Sequence, residues 1–351
     1  MPDIDQSYMR RCIELARKGA GMVAPNPMVG AVLVHDGHII GEGYHRQYGQ
    51  PHAEVNCVNS VSASDEKLVP FSTLYVSLEP CAHFGKTPPC SDLIIQKNIP
   101  KVVIGCRDPF TEVDGRGIEK LQKAGVEVVT GILEKECKEL NKRFLVFVTQ
   151  KRPYIILKWA QSGDGKIAGN TKERLLITNE YTNRLVHQWR AEEVAILVGT
   201  NTALLDDPSL NNRLWKRNNP VRMVLDMSLR LPPHLKIFDQ QQRTIIFNGK
   251  KQEENNNILY RQINKEEGIV QQITAIAYEL GLQSILVEGG TKLLQSFIDA
   301  GLWDEARVIT NEEMTIPDGL SAPLLNKLHA ENSEKISSDN IQYYTNQLIN
   351  K

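Results

Sequence analysis

Three side chains able to share one metal ion constrain the folding of this chain more than anything else in it. His52 stands two residues before Glu54, and two cysteines, each preceded by proline, follow at Cys81 and Cys90. One imidazole and two thiolates occupy three corners of a zinc tetrahedron and leave the fourth for solvent. Zinc bound in this way lowers the pKa of its water towards neutrality, and a carboxylate near the ligating histidine can move the protons. For the three ligands to meet, the chain must leave His52, complete at least one further element and return. A closed structural site needs a fourth ligand. His83 is the candidate in the intervening loop, and Cys57 and Cys106 are the other thiols nearby. The place of Glu54, one step along a helix from His52, favours the open, catalytic arrangement. Cys12, Cys57, Cys106 and Cys137 read as small buried apolar residues.

The remaining composition narrows the classes. The 351 residues exceed one typical domain, which makes two domains the natural expectation. Lysine and arginine number 41 against 42 acids, so net charge gives no support to a nucleic-acid partner. No apolar run approaches a bilayer span, and the stretch from Met1 to Gln6 lacks the basic and apolar regions of a signal peptide. A cytoplasmic location and reduced cysteines are therefore expected. All six cysteines lie at or before Cys137, which suggests two halves of different chemistry.

Apolar periodicity predicts strands alternating with helices throughout, the pattern of layered α/β domains. In the first half, helices are expected over 6–20, 52–61, 90–97, 117–124 and 133–147. Strands are expected over 29–34, 38–41, 73–78, 101–106 and 126–130, with Asp36-Gly37 as a hairpin turn. Lys151-Arg152-Pro153 marks a boundary, and the domains are set at 1–148 and 149–351. In the second half, strands are expected over 154–160, 194–198, 221–225, 244–247, 284–287 and 306–310, the last taken as the final strand. Helices are expected over 179–192, 266–280 and 291–300. Residues 252–257 read as a surface loop, and the polar tail after Ala330 is left without a role.

A His-x-Glu followed by a Pro-Cys pair is the signature of zinc deaminases acting on nucleobases. Here eight residues, Ala82 to Pro89, separate the cysteines, where the signature has two. Four stretches make the resemblance more specific: Pro25-Asn26-Pro27-Met28-Val29-Gly30-Ala31, Gly41-Glu42-Gly43-Tyr44-His45, Gly49-Gln50-Pro51-His52-Ala53-Glu54, and Glu79 through Cys90 with its ending Lys86-Thr87-Pro88-Pro89-Cys90. Together they resemble the bifunctional riboflavin-biosynthesis deaminase/reductase family. The resemblance implies an N-terminal cytidine-deaminase-like three-layer α/β/α domain that converts a phosphoribosylated diaminopyrimidinone to a uracil. Its zinc ligands would be His52, Cys81 and Cys90, with Glu54 as the proton shuttle. Asn26, His45, His83 and Lys86 would hold the pyrimidine and its ribose phosphate, Lys86 as a point charge.

The second half is less explicit taken alone. It has no Gly-x-Gly-x-x-Gly after a strand, so a Rossmann reading has little support. Glu288-Gly289-Gly290-Thr291 is a strand-to-helix turn of the kind that lets a phosphate approach backbone N–H groups. Ser162 through Ala168, Ile177-Thr178, His187-Gln188-Trp189-Arg190-Ala191, Asp206-Asp207-Pro208 and Val287-Glu288-Gly289-Gly290 resemble the reductase half of the same family. The resemblance implies a dihydrofolate-reductase-like α/β domain that reduces ribosyl to ribityl with NADPH. Ala160, Thr202, Asp206, Gly290 and Thr291 would line the dinucleotide site. Lys158, Arg190, Leu210, Arg213 and Glu288 would line the substrate site. Lys158 and Glu288 both stand as candidates for the accompanying proton. Arg174-Leu175-Leu176 replaces the family's serine, one residue, then tryptophan. Arg174 there would meet a phosphate and Leu176 would cover a cofactor ring. That departure keeps a second reading open, a deaminase carrying a reductase-like domain that serves only assembly or binding. A nucleoside or nucleic-acid deaminase with a binding module is the other rival, disfavoured by the neutral charge and the long cysteine loop. The family also implies assembly into homo-oligomers.

Overall fold

The computed structural model describes residues 4–85, 88–169, 175–215, 217–325 and 328–346. It divides into two compact units, Met1–Lys151 and Arg152–Lys351.

The first unit runs α1 (Ile4–Arg17), β1 (Gly30–His35), β2 (His38–Tyr44), α2 (Ala53–Asn59), β3 (Thr73–Leu78), α3 (Cys90–Gln96), β4 (Lys101–Cys106), α4 (Arg116–Lys123), β5 (Glu127–Thr130), α5 (Glu134–Leu140) and α6 (Lys142–Gln150). The strands form one sheet in the order β2-β1-β3-β4-β5. Successive strand residues point to opposite faces. Val32, Tyr75 and Val103 therefore pack with Met9, Cys12 and Ala16 of α1 and Cys137 of α5. Leu33, Val76, Val102 and Ile104 pack on the other side with Cys57 of α2, Ile94 of α3 and Leu121 of α4. The result is a three-layer α/β/α unit. The single helix expected over 133–147 is instead two, divided at Asn141. That side chain, 2% exposed, accepts from Met28 N–H at 2.8 Å and donates to Met28 O at 2.9 Å. The break thereby anchors the Asn26–Met28 turn.

The second unit runs β6 (Tyr154–Ser162), β7 (Lys166–Ala168), α7 (Glu180–Glu192), β8 (Ala195–Gly199), α8 (Thr200–Asp206), β9 (Val221–Leu225), β10 (Thr244–Asn248), β11 (Glu253–Asn255), β12 (Ile258–Gln262), α9 (Ile269–Glu279), β13 (Ser284–Gly289), α10 (Thr291–Asp299), β14 (Glu305–Asn311), β15 (Leu320–Ser321), β16 (Asn332–Ile336) and β17 (Asp339–Thr345). Its main sheet has the order β11-β12-β10-β9-β8-β13-β6-β14-β17-β16 among the described residues. The strands from β12 to β14 in that order are parallel, and the apolar runs of β8, β10 and β13 reflect burial on both faces. Ile155, Leu157, Leu197, Met223 and Phe247 pack with Ile273 of α9 and Phe297 of α10. This is the dihydrofolate-reductase-like unit expected from the sequence.

Two further expectations are corrected. Residues 306–310 are not the last strand: β17 pairs antiparallel with β14 from Glu305↔Thr345 to Asn311↔Asp339, and β16 pairs with β17. The polar tail is a two-strand edge whose outer member is largely exposed, so it shows no apolar run. Within the expected loop 252–257, β11 pairs with β12 and turns at Asn256, which takes φ 51°. The helix α8, with Ala203 as its one buried residue, was not foreseen.

Candidate active sites

The three ligands of the first unit lie where strand ends and loops meet helix starts. His52 directly precedes α2 in extended conformation, Cys81 follows β3 and Cys90 opens α3. His52 Nδ1 is 3.6 Å from Cys81 Sγ and 3.4 Å from Cys90 Sγ, and all three donor atoms lie within 4.8 Å of one another. The Cys90 N–H donates to Cys81 Sγ at 3.3 Å, which favours a thiolate there. Contact with Cys90, and then with His52, pulls the Cys81 thiol well below its usual range, while Cys90 is pushed up. Two sulfurs and one ring nitrogen form a donor set suited to zinc, and no fourth ligand joins this cluster among the described residues.

Glu54 sits in the first turn of α2 and is 3% exposed. Burial raises its carboxyl above the ordinary value, with Cys81 adding to the effect and His52 opposing it. His45 packs edge-on against His52, with centroids 5.3 Å apart. Its Nε2 meets Asn26 Nδ2 at 3.2 Å and its Nδ1 meets the Pro51 carbonyl at 3.2 Å. An amide nitrogen only donates, so Nε2 accepts and Nδ1 carries the proton. Burial lowers the His45 pKa, in keeping with that neutral ring. Asn26, His45, His52 and Glu54 are thus brought together. His83 is more open and lies 3.6 Å from Glu112. Lys86 lies outside the described residues.

The sequence reading missed Glu79. It is 4% exposed, and its carboxylate accepts four backbone N–H groups: Asp108 at 3.3 Å, Gly115 at 3.1 Å, Gly117 at 3.0 Å and Ile118 at 3.2 Å. A negative charge therefore caps α4 from the adjoining strand, at the positive end of its dipole. A Cβ on Gly117 would stand 2.0 Å from the Pro80 carbonyl oxygen, so the helix start fits closely against the turn that carries Cys81. The available signal was an acid ending an apolar strand immediately before Pro80-Cys81. Asp108 lies beside Glu79, and burial pushes its carboxyl up to about 7.

In the second unit the sheet register assembles the site. Leu286 pairs with Ile156, and two residues further on, where β13 shifts register against β8, Glu288 comes close enough to Lys158 of β6 for each charge to act on the other. The helix α7 brings Arg190 to the same place. Arg190 Nε and Nη2 donate to the two Glu288 oxygens at 2.8 and 2.5 Å, with the side chains 17% and 6% exposed. Burial opposes the Glu288 charge, but Arg190 and Lys158 outweigh it and hold the carboxyl below its usual range. Burial lowers the Lys158 pKa, against the attraction of Glu288. Arg190 is committed to Glu288 and does not stand free with Arg213 to grip an anion. Arg213 is exposed.

The dinucleotide candidates gather at the ends of the adjacent parallel strands β8 and β13. A Cβ on Gly289 would stand 2.9 Å from Thr202, and Gly290 takes φ 81° before α10. Glycine at 289 thus lets the turn before α10 pack directly against Thr202. Thr291 opens α10 and donates to Ser321 O at 3.3 Å. Asp206 lies one helical turn from Thr202 on α8, Ala160 is on β6, and Leu176 is 70% exposed. Leu210 is buried, 2% exposed, in the apolar cluster with Val198, Ala203 and Val224, and its carbonyl accepts from Gln242 Nε2 at 3.2 Å. Arg174 lies outside the described residues.

Fold and sites together define a two-part enzyme, a zinc-type deaminase followed by a reductase. Residues 2–106 match the family model for the cytidine and deoxycytidylate deaminase zinc-binding region, and residues 153–311 match the RibD C-terminal domain. Riboflavin biosynthesis protein RibD of Aquifex aeolicus is 38% identical, over 99% of this chain and 98% of that protein. The same-named protein of Escherichia coli K12 is 37% identical over 86% of each. The crystal structure of a diaminohydroxyphosphoribosylaminopyrimidine deaminase/5-amino-6-(5-phosphoribosylamino)uracil reductase from Thermotoga maritima superposes with TM-score 0.89 at 39% identity, covering 97% of this chain and 98% of that one. The chain belongs to the RibD family of bifunctional riboflavin-biosynthesis enzymes.

Proposed function

We propose that the first unit deaminates 2,5-diamino-6-(5-phosphoribosylamino)pyrimidin-4(3H)-one, and that the second unit reduces the ribosyl group of the resulting aminouracil to ribityl with NADPH. The observation that carries the reading is the open His52–Cys81–Cys90 cluster with the buried Glu54 beside it. Zinc held by those three ligands supplies an activated solvent molecule. Glu54, its proton affinity raised by burial, takes a proton from the attacking solvent and delivers protons to the ring nitrogen and the departing amine. Asn26 and the neutral His45 hold the pyrimidine edge, and His83 and Lys86 serve the ribose phosphate.

In the second unit NADPH, held by Ala160, Leu176, Thr202, Asp206, Gly290 and Thr291, supplies the hydride. Lys158 provides the proton that turns the ring oxygen into a hydroxyl. Its depressed pKa eases that transfer, whereas Glu288 is kept ionised by Arg190. Glu288, Arg190, Arg213, Arg174 and Leu210 line the substrate. The reading includes a cytoplasmic location, a small-molecule substrate in place of nucleic acid, and assembly into homo-oligomers. Among the described residues no helix is long and apolar enough to cross a membrane.

Mass spectrometry after incubation with the diaminopyrimidinone tests the assignment. Without NADPH the product should have exchanged one amino group for oxygen. With NADPH it should also carry two added hydrogens. An unchanged substrate in both samples would refute the reading.

A further inference from the structure

The loop from Leu210 to Arg213 delivers Arg213 to the reductase site, and each of its four residues is tied by a polar contact. Gln242 Nε2 donates to Leu210 O at 3.2 Å, and Arg190 Nη1 reaches Asn211 O at 3.5 Å. The Asn212 N–H donates to Asn219 Oδ1 at 2.8 Å, and the Arg213 N–H donates to His187 Nδ1 at 3.3 Å. Leu210 takes φ 47°, an uncommon conformation for a side-chain-bearing residue, so the loop is shaped by these ties and by the buried Leu210 side chain. Two of the ties come from one face of α7, where His187 and Arg190 lie three residues apart.

His187 differs from an ordinary core histidine in its surroundings. It is 1% exposed, and the charged groups that act on it are Arg190 from its own helix, Arg213 from the loop, Lys158 from β6 and Glu288 from β13. Burial, then Arg190 and Arg213, push its pKa down to about 4. The ring is therefore neutral at pH 7, and Nδ1 remains an acceptor. A protonated ring would present a donor there and lose the Arg213 N–H.

We propose that His187 is a positioning residue of the reductase site: its Nδ1 fixes the Arg213 backbone so that the guanidinium meets the substrate phosphate. The inference rests on the assignment of Arg213 to that phosphate under the proposed function.

The test uses the full-length, zinc-loaded chain, with reduction of the deaminated substrate followed by NADPH absorbance. His187→Leu removes the acceptor and should raise the KM of the phosphorylated substrate roughly tenfold, leaving kcat within about twofold. The KM for NADPH, the deamination rate and turnover of the dephosphorylated substrate should not change. His187→Asn keeps a side-chain acceptor and should bring the phosphorylated-substrate KM back to within about threefold. An unchanged KM in His187→Leu would overturn the proposal. So would equal loss on both substrates without rescue by asparagine, because that pattern belongs to a purely structural role. Hydrogen exchange on the unmodified chain gives an independent check: the Arg213 amide should be protected at pH 7, and exchange at the unprotected rate would overturn the proposal. An unmodified chain that fails to oxidise NADPH with the deaminated product would sink the reductase assignment itself, a result distinct from failure of the His187 variants.

Discussion

The two sites are put together in opposite ways. In the first unit the reacting groups come from short stretches, each at the start of a helix or the end of a strand: His52 and Glu54 around the start of α2, Cys81 after β3 and Cys90 at the head of α3. Local chain geometry aims them, and a metal ion completes the set. In the second unit Lys158, Arg190, Arg213 and Glu288 come from a strand, a helix, a loop and another strand, and an ion pair joins Arg190 to Glu288. Local chemistry leaves a motif in the sequence. Chemistry assembled by sheet register leaves scattered charges whose meaning depends on which strands become neighbours. The first site should therefore fail abruptly when one group is removed, and the second by degrees.

Glu54→Gln should break this contrast most sharply if it is wrong. Deamination should fall about a thousandfold while bound zinc stays at one ion per site and reduction is unchanged. Metal analysis and the two rate assays check it. Lys158→Gln should lower the reductase kcat by about a hundredfold and leave deamination intact. A loss confined to KM would instead return Glu288 to consideration as the proton donor.

The legibility of the chain follows the same division. The strands 73–78, 101–106 and 221–225 were readable to the residue because apolar residues dominate each and their interiors are buried on both faces. The zinc ligands were readable because their spacing is chemically restrictive. The edge strand β16 and its neighbour β17 were not, since their residues follow no apolar pattern and β17 takes its place only by pairing with β14. Nothing in the sequence sets Asn141 apart from its helical neighbours, because its partner, the Met28 backbone, is 113 residues away. The bond between Glu288 and Arg190 joins residues 98 apart in sequence, and only the register of β13 with β6 and the placement of α7 reveal it.

Smaller effects sharpen the comparison. Glu79→Gln removes the charge and one acceptor oxygen from the four N–H groups around the start of α4. It should destabilise the first unit by about 2 kcal/mol and weaken zinc binding, with reduction unaffected. Thermal unfolding and metal titration would show this. The smallest effect concerns pH. Folded His187 titrates near 4 against an ordinary 6.5, so the unfolded chain takes up a proton that the folded chain refuses. Stability from this group is complete above pH 6.5 and is lost as pH falls from there through about 4. In His187→Asn the decline over that window should be shallower by on the order of 1 kcal/mol, measured by denaturant unfolding at several pH values.

Metal removal addresses the central claim most directly, that one chain carries a metal-dependent site and an independent reductase site. Both half-reactions would be followed on one preparation, before chelation, after it, and after zinc is restored. Deamination should vanish and return with the metal, while reduction of the deaminated product stays constant throughout. Deamination that persists in metal-free protein, or reduction that falls in step with it, would contradict the account.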